Sequence, residues 1–96
     1  MILTERETRQ GLLVTVCDDG IVGETFENGA VSLTVTEEFY GGDAVDEEDV
    51  VDSLARASVA NIVGTDAVSL AVDAGFVAEE NVLDVGATRH AQFLVM

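Results

Sequence analysis

The chain has 96 residues, of which 19 are Asp or Glu and four are basic, so its formal net charge is −15 at pH 7. The basic residues are all arginine (Arg6, Arg9, Arg56 and Arg89), although lysine is among the commonest residues of soluble proteins. Such a negative surplus repels itself in dilute solution, whereas molar salt shortens the Debye length to about 3 Å and screens it. The composition therefore predicts a halophilic protein that works in a salt-filled cytoplasm.

The remaining composition limits the class of protein further. Hydrophobic residues make up 48% of the chain, which favours one globular domain over residues 1–96. No apolar run approaches the roughly 18 residues of a membrane span, and the first residues lack the pattern of a signal peptide, so we expect a cytoplasmic protein without a membrane partner. A single cysteine, Cys17, excludes an internal disulfide and a cysteine-based zinc cluster. We expect neither a cofactor nor a metal, and no DNA partner.

The first third of the chain predicts strands over 2–8, 12–18, 21–27 and 30–36. Asp19-Gly20 and Asn28-Gly29 have the composition of two-residue hairpin turns, because Asp, Asn and Gly tolerate the positive φ that these turns require. Gln10-Gly11 is a weaker candidate for a turn. The pattern indicates an antiparallel meander with one face in solvent.

The remainder of the chain predicts two helices and two strands. Acidic residues from Asp46 to Asp49 suit a helix start, and apolar residues at 3.6 spacing continue the helix to Ile62. A second, short helix follows Gly64 and ends at Gly75. Strands are expected over 82–85 and 88–95. The predicted fold class is therefore α+β: an antiparallel β-meander, a packed pair of helices and a C-terminal strand pair.

Two residues could support catalysis. Cys17 lies late in an apolar strand, where cysteine is most often a small buried hydrophobe. His90 alternates with Ala91, so we place it beside Gln92 on the outward face of the last strand, either as a solvated edge or as a small recognition surface. An enzyme would use His90 as general base next to Cys17 or the Tyr40 hydroxyl, within hydrogen-bond distance inside a concave pocket.

Asn61 falls within the apolar face of the first predicted helix. A buried amide without a partner costs on the order of 1–3 kcal/mol, so we expect it to bond the backbone of the Gly41-Gly42 loop or the helix end. A ligand-facing amide is the alternative. The two glycines permit a sharp turn or a close backbone approach, but the Gly-Lys-Ser/Thr of a phosphate loop is missing.

Several short segments occur in a characteristic order: Phe39-Tyr40-Gly41-Gly42, Ala60-Asn61-Ile62-Val63-Gly64, Ala67-Val68, Ala71, Gly75, Asn81-Val82-Leu83 and His90-Ala91-Gln92. This order resembles an archaeal family known only as a domain of unknown function, family four-two-four, and it suggests a haloarchaeal member. Relatives often carry proline where this chain has Arg89. The resemblance implies a compact mixed fold and no reaction. It also draws attention to a set of positions: Tyr40, Gly41, Gly42, Asn61, Gly64, His90 and Gln92.

For function we expect a non-catalytic binding or accessory module, with a protein or RNA partner associated with translation. Tyr40, Asn61 and His90 would then converge in a polar recognition patch. The alternatives are the small enzyme based on His90 and a self-associating structural protein. Self-association would leave an apolar part of the sheet exposed in the monomer.

Folding should depend on salt, because no lysine offsets the net charge of −15. Circular dichroism should show a compact fold above about 1–2 M KCl and loss of structure as the Debye length grows toward about 10 Å near 0.1 M. An unchanged, sharp thermal transition in dilute neutral buffer would contradict the halophilic interpretation.

Overall fold

A computed structural model describes residues 1–95. The strands are β1 (Ile2–Thr8), β2 (Gly11–Cys17), β3 (Thr25–Asn28), β4 (Val31–Thr34), β5 (Asp43–Ala44), β6 (Val59–Val63), β7 (Leu83–Val85) and β8 (Thr88–Leu94). The helices are α1 (Glu37–Tyr40), α2 (Glu47–Arg56) and α3 (Thr65–Asp73), followed by a 3-10 turn at Glu79–Asn81. Within the described residues no helix is long and apolar enough to cross a membrane. The α+β class and the C-terminal strand pair are confirmed.

Six strands form one mixed sheet in the order β5-β1-β2-β6-β8-β7, and β3 and β4 form a separate two-stranded sheet. The β1–β2 hairpin turns at the weaker of the predicted sites, with Thr8 opposite Gly11. Gly11 has a φ of 108°, and a Cβ there would collide with the Ser58 side chain. Glycine is therefore needed at this turn for both conformation and space.

The predicted hairpin at Asp19-Gly20 is wrong, so the first four strands form two hairpins instead of one continuous meander. β2 pairs in parallel with β6, and the chain leaves the sheet between them. The reason lies in the burial of β2: Val14 and Val16 are buried on one face, and Thr15 and Cys17 on the other. A strand buried on both faces is typical of a sheet interior, where it needs a neighbour on each side. The β3–β4 hairpin forms at Asn28-Gly29 as predicted.

The first long helix is shorter than predicted. Asp46 caps α2 as expected, since its side chain accepts a hydrogen bond from the backbone N–H of Asp49 at 3.1 Å. The helix ends at Arg56, however, and the segment predicted as its last turns forms β6. This segment, Val59-Ala60-Asn61-Ile62-Val63, is rich in β-branched residues, which fit a pleated strand better than a helix. Gly64 consequently begins α3 instead of ending α2.

The sheet has a different cover on each face. α2 and α3 pack side by side on one face, as the predicted helix pair should, and the core there includes Val14, Val16, Val50, Leu54, Ile62 and Val68. On the opposite face, α1 and the β3–β4 hairpin cover a smaller cluster: Cys17, Val35, Tyr40 and Val63. Because this second cover is small, part of the opposite face stays open.

Asp18, the first residue after β2, caps the helix that follows β6. Its Oδ1 accepts the backbone N–H of Ala67 at 2.7 Å, and its Oδ2 accepts that of Asp66 at 3.1 Å. Gly64 lies against this carboxylate with a φ of 118°, and a Cβ there would collide with it. One side chain thereby joins the carboxyl ends of the two parallel strands and satisfies free N–H groups of α3.

Asp18→Ala should lower the free energy of unfolding by about 1–2 kcal/mol, the usual cost of losing an N-terminal helix cap. Asp66→Ala is the matched control, because it removes the same charge at the same helix end without removing a capping bond, and it should cost well under half as much. Urea melts in about 2 M KCl, where surface repulsion is screened, measure the difference. Equal losses in the two variants would show that charge, and not the cap, matters here.

Candidate functional site

Three of the predicted site residues lie together on the face of the sheet opposite α2 and α3. Asn61 on β6 is directly opposite Gln92 on β8, and Val63 is opposite His90. Directly opposed residues share a face of the sheet, so Asn61, His90 and Gln92 are neighbours. Asn61 and His90 are half-buried and Gln92 is exposed. The alternation that placed His90 with Gln92 matches this register.

A polar row crosses the sheet at this point. Thr4, Thr15, Asn61 and Gln92 occupy matching positions on β1, β2, β6 and β8. The hydroxyls of Thr4 and Thr15 are hydrogen-bonded to each other, and that of Thr15 donates to the carbonyl of Phe39 at 3.2 Å. The row is therefore covered by α1 where it crosses β2, and it is open at its β8 end. Sequence reasoning missed the two threonines, because the row exists only through the parallel pairing of β2 with β6.

Apolar residues flank the open end of the polar row. Val59 lies opposite Leu94 on one side, and His90 lies opposite Leu83 on the other. Leu83 and Leu94 are both exposed. A cavity of about 330 Å³ lies at this end, lined by Val59, Gln92, Phe93 and Leu94. We refer to the surface as the open face, which consists of Val59, Asn61, Leu83, His90, Gln92 and Leu94.

The structure corrects the prediction for Asn61. The sequence predicts that Asn61 lies on a helix, with its amide buried and bonded to the Gly41-Gly42 loop or the helix end. It lies on β6, half-buried, between Thr15 and Gln92 on the neighbouring strands. Its amide can therefore be solvated, and the large penalty of a buried, unpaired amide does not apply.

Tyr40 and Gly41 lie at the end of α1, followed by Gly42, and Tyr40 packs in the cluster with Cys17 and Val63. The aromatics predicted in a turn belong to α1, a one-turn helix capped by Thr36. Tyr40 is buried, with its ring edge-on to Phe39 at 5.0 Å between centroids. A Cβ at Gly41 would collide with Glu37, and one at Gly42 with the backbone of Leu3. The two glycines therefore permit a close approach of other groups, as the sequence analysis allowed. The groups that approach are Glu37 and Leu3 of the same chain.

The two candidate nucleophiles, the Cys17 thiol and the Tyr40 hydroxyl, are held in their protonated forms. Burial, with the nearby carboxylates of Asp18 and Asp19, raises the pKa of the Cys17 thiol to about 11. Burial, followed by the neighbouring Cys17, raises the pKa of the Tyr40 hydroxyl to about 12. Burial lowers the pKa of His90, which favours the neutral imidazole that a general base requires. Val63 separates Cys17 from His90 in the sheet. A protonated, buried thiol is a poor nucleophile, so this arrangement does not favour Cys17 as a nucleophile paired with His90.

A cavity of about 650 Å³ lies at the carboxyl ends of β2 and β6. Ligands often bind at this end of parallel strands. Here the lining is strongly acidic: Asp18, Asp19, Asp46, Glu47, Asp66 and Asp73. Across residues 1–95, no three His, Cys, Asp or Glu groups are placed to hold a metal ion. The Asp18 carboxylate already occupies the start of α3, where an anion would otherwise bind.

Cys17 should be inert as a thiol and dispensable for binding. It is fully buried and its pKa is raised to about 11, so little thiolate forms at neutral pH. In about 2 M KCl at pH 7.5, we expect a disulfide reagent such as dithionitrobenzoate to label the native protein at least about 100-fold more slowly than the urea-unfolded chain, because labelling then requires opening. Native labelling at the unfolded rate would contradict the burial of this thiol.

Comparison with known proteins agrees with this fold. The chain resembles the crystal structure of an uncharacterized conserved protein from Methanopyrus kandleri, with a TM-score of 0.79 and 22% sequence identity over 99% of this chain and 92% of that chain. At this identity the likeness concerns the fold alone. No curated protein matches the chain. A family model described as "Protein of unknown function (DUF424)" matches residues 5–96. The resemblance to family four-two-four is thus confirmed, and the chain belongs to this family of proteins of unknown function.

Proposed function

We propose that the chain is a non-catalytic binding module that captures a protein partner on the open face, in the cytoplasm of a halophilic archaeon. The observation that carries the proposal is the uncovered part of this sheet face, where Asn61, His90 and Gln92 lie between the exposed Leu83 and Leu94. Neutral polar and apolar side chains are typical of the core of a protein interface, where charged residues are depleted. Exposed apolar groups beside groups able to form hydrogen bonds also provide both affinity and specificity.

The charge of the open face favours a protein partner over RNA. RNA binding relies on Lys and Arg that neutralise phosphates, and this chain has a net charge of −15. The nearest arginine, Arg89, alternates with His90 and is paired with Glu79 and Asp84. Burial lowers the pKa of His90, which favours its uncharged form. The open face therefore offers no cation to a phosphate backbone.

The charge of the whole molecule also favours a particular kind of protein. An acidic body attracts a basic partner over a distance set by the Debye length, and the neutral open face would form the contact once the partner arrives. A basic protein associated with RNA or translation fits this description better than RNA alone. At molar salt the attraction is short-ranged, so contacts on the open face would supply most of the affinity.

An immobilised form of the chain tests the proposal in a haloarchaeal lysate at about 2 M KCl. The double variant Asn61→Ala, His90→Ala shortens two half-buried side chains of the open face. It should retain roughly ten-fold less of the captured protein, which corresponds to about 1.4 kcal/mol of binding free energy. Glu80→Ala, an exposed change in the 3-10 turn outside the open face, is the control and should capture as much as the wild type.

Both variants are first compared with the wild type by thermal melting, so that a loss of capture is not a loss of folding. Nuclease treatment of the lysate separates the two classes of partner. Capture that disappears with nuclease would mean that RNA is the ligand and would contradict the proposal. Equal capture by the double variant and the control would move the interface away from the open face.

A further inference from the structure

The outer edge of β8 is unpaired beyond His90. β7 pairs only with Thr88–His90, whereas β8 continues to Leu94. On the side of β8 that faces β6, the Arg89 carbonyl accepts a hydrogen bond from the N–H of Gly64 at 2.9 Å. The N–H of Val95 donates to the carbonyl of Ser58 at 2.7 Å. Alternate residues of an antiparallel strand bond in the same direction. The N–H and C=O groups of Gln92 and Leu94 therefore point away from β6, along a free edge.

This edge lacks the usual protection against pairing with another chain. Natural sheet edges are commonly blocked by charged side chains, proline or bulges. The segment from Ala91 to Val95 contains no charged residue and no proline, although 24% of the chain is charged. Leu94 and Val95 are 59% and 62% exposed. By contrast, the opposite edge of the sheet carries charges, including Asp43 of β5 and Glu7 of β1.

We propose that a second copy of this chain pairs with the free edge, β8 against β8, to form a two-fold dimer. Each copy carries a charge of −15, so two copies can approach closely only where neither presents carboxylates. The neutral end of β8 is such a place. A strand paired with itself about a two-fold axis is antiparallel, and the same surface on both copies is then self-complementary.

The positions of the free backbone groups set the register of the pair. A two-fold axis at Phe93 places Gln92 of one copy opposite Leu94 of the other, so that residues with outward N–H and C=O groups meet. Phe93 then faces its counterpart on the helix-covered side of the sheet. Its ring is stacked on Phe76 at 6.3 Å between centroids, so each copy brings an aromatic pair to the interface. Leu94 of each copy covers the apolar end of the other copy's open face.

The dimer goes beyond the proposed function and does not depend on it. A two-fold axis perpendicular to the sheet keeps both open faces on the same side. The dimer would thus present two copies of the open face next to each other and could bind a two-fold or repetitive partner bivalently. Salt should strengthen the dimer, because it screens the repulsion between the two acidic bodies and adds to the effect of burying Leu94.

Sedimentation velocity on the whole chain tests the inference, with circular dichroism in the same buffers to confirm folding. At about 100 µM in about 3 M KCl, the wild type should sediment with twice the monomer mass. Gln92→Pro removes an N–H that only the second copy would use, and it should weaken the dimer at least about ten-fold. Gln92→Ala keeps that N–H and is the matched control, which should dimerise almost as well as the wild type.

Leu94→Glu provides a second variant in case the proline disturbs β8. It places a carboxylate in the pair on each copy and should give monomers that melt like the wild type. A folded wild type that remains monomeric at this concentration and salt would overturn the inference. So would a dimer that both Gln92→Pro and Leu94→Glu leave intact. These masses are measured without any partner, so they are independent of the capture experiment.

Discussion

The parallel pairing of β2 with β6 is the contact on which the rest of the structure depends. It joins the β1–β2 hairpin to the later unit of β6, α3, β7 and β8. Asp18 stabilises this junction, because it directly follows β2 and its carboxylate accepts hydrogen bonds from the backbone N–H groups of Asp66 and Ala67 in α3. Non-local strand pairing carries a cost in loop entropy that neighbouring hairpins do not have. A charge-assisted cap at the point of closure offsets part of that cost and fixes where the two strands end.

Three of the four arginines bond neighbouring parts of the fold. Arg56 of α2 and the buried Ser53 both bond the carboxylate of Glu5 on β1, and these bonds, that of Ser53 first, hold the pKa of Glu5 below its usual range. Arg89 joins β8 to Glu79 and Asp84. Arg6 lies over the ring of Phe39 at 5.4 Å and bonds the carbonyl of Glu38. With so few cations in the chain, these three arginines are positions of more than average structural weight.

Local chemistry predicted local features, and failures occurred where a distant neighbour decides the outcome. The Asn28-Gly29 hairpin, the cap at Asp46 and the short α3 follow from turn propensity, capping and helical period. The same reasoning failed at Asp19-Gly20 and at Asn61. A short apolar segment such as the one around Asn61 fits both a buried strand and the end of an amphipathic helix. Only the β2–β6 pairing distinguishes them. For the site, alternation predicted that His90 and Gln92 share a face, but the placement of Asn61 beside them required the register of the sheet.

The position of the open face follows from the energetics of a very acidic protein. Burying a carboxylate without a partner is costly, so surfaces rich in Asp and Glu are poor places for a dry interface. This chain has 19 such residues, and six of them line the cavity at the carboxyl ends of β2 and β6. The end of β8, with Gln92 and Leu94, combines neutral side chains with outward backbone groups. An interface there needs neither desolvation of carboxylates nor counter-charges.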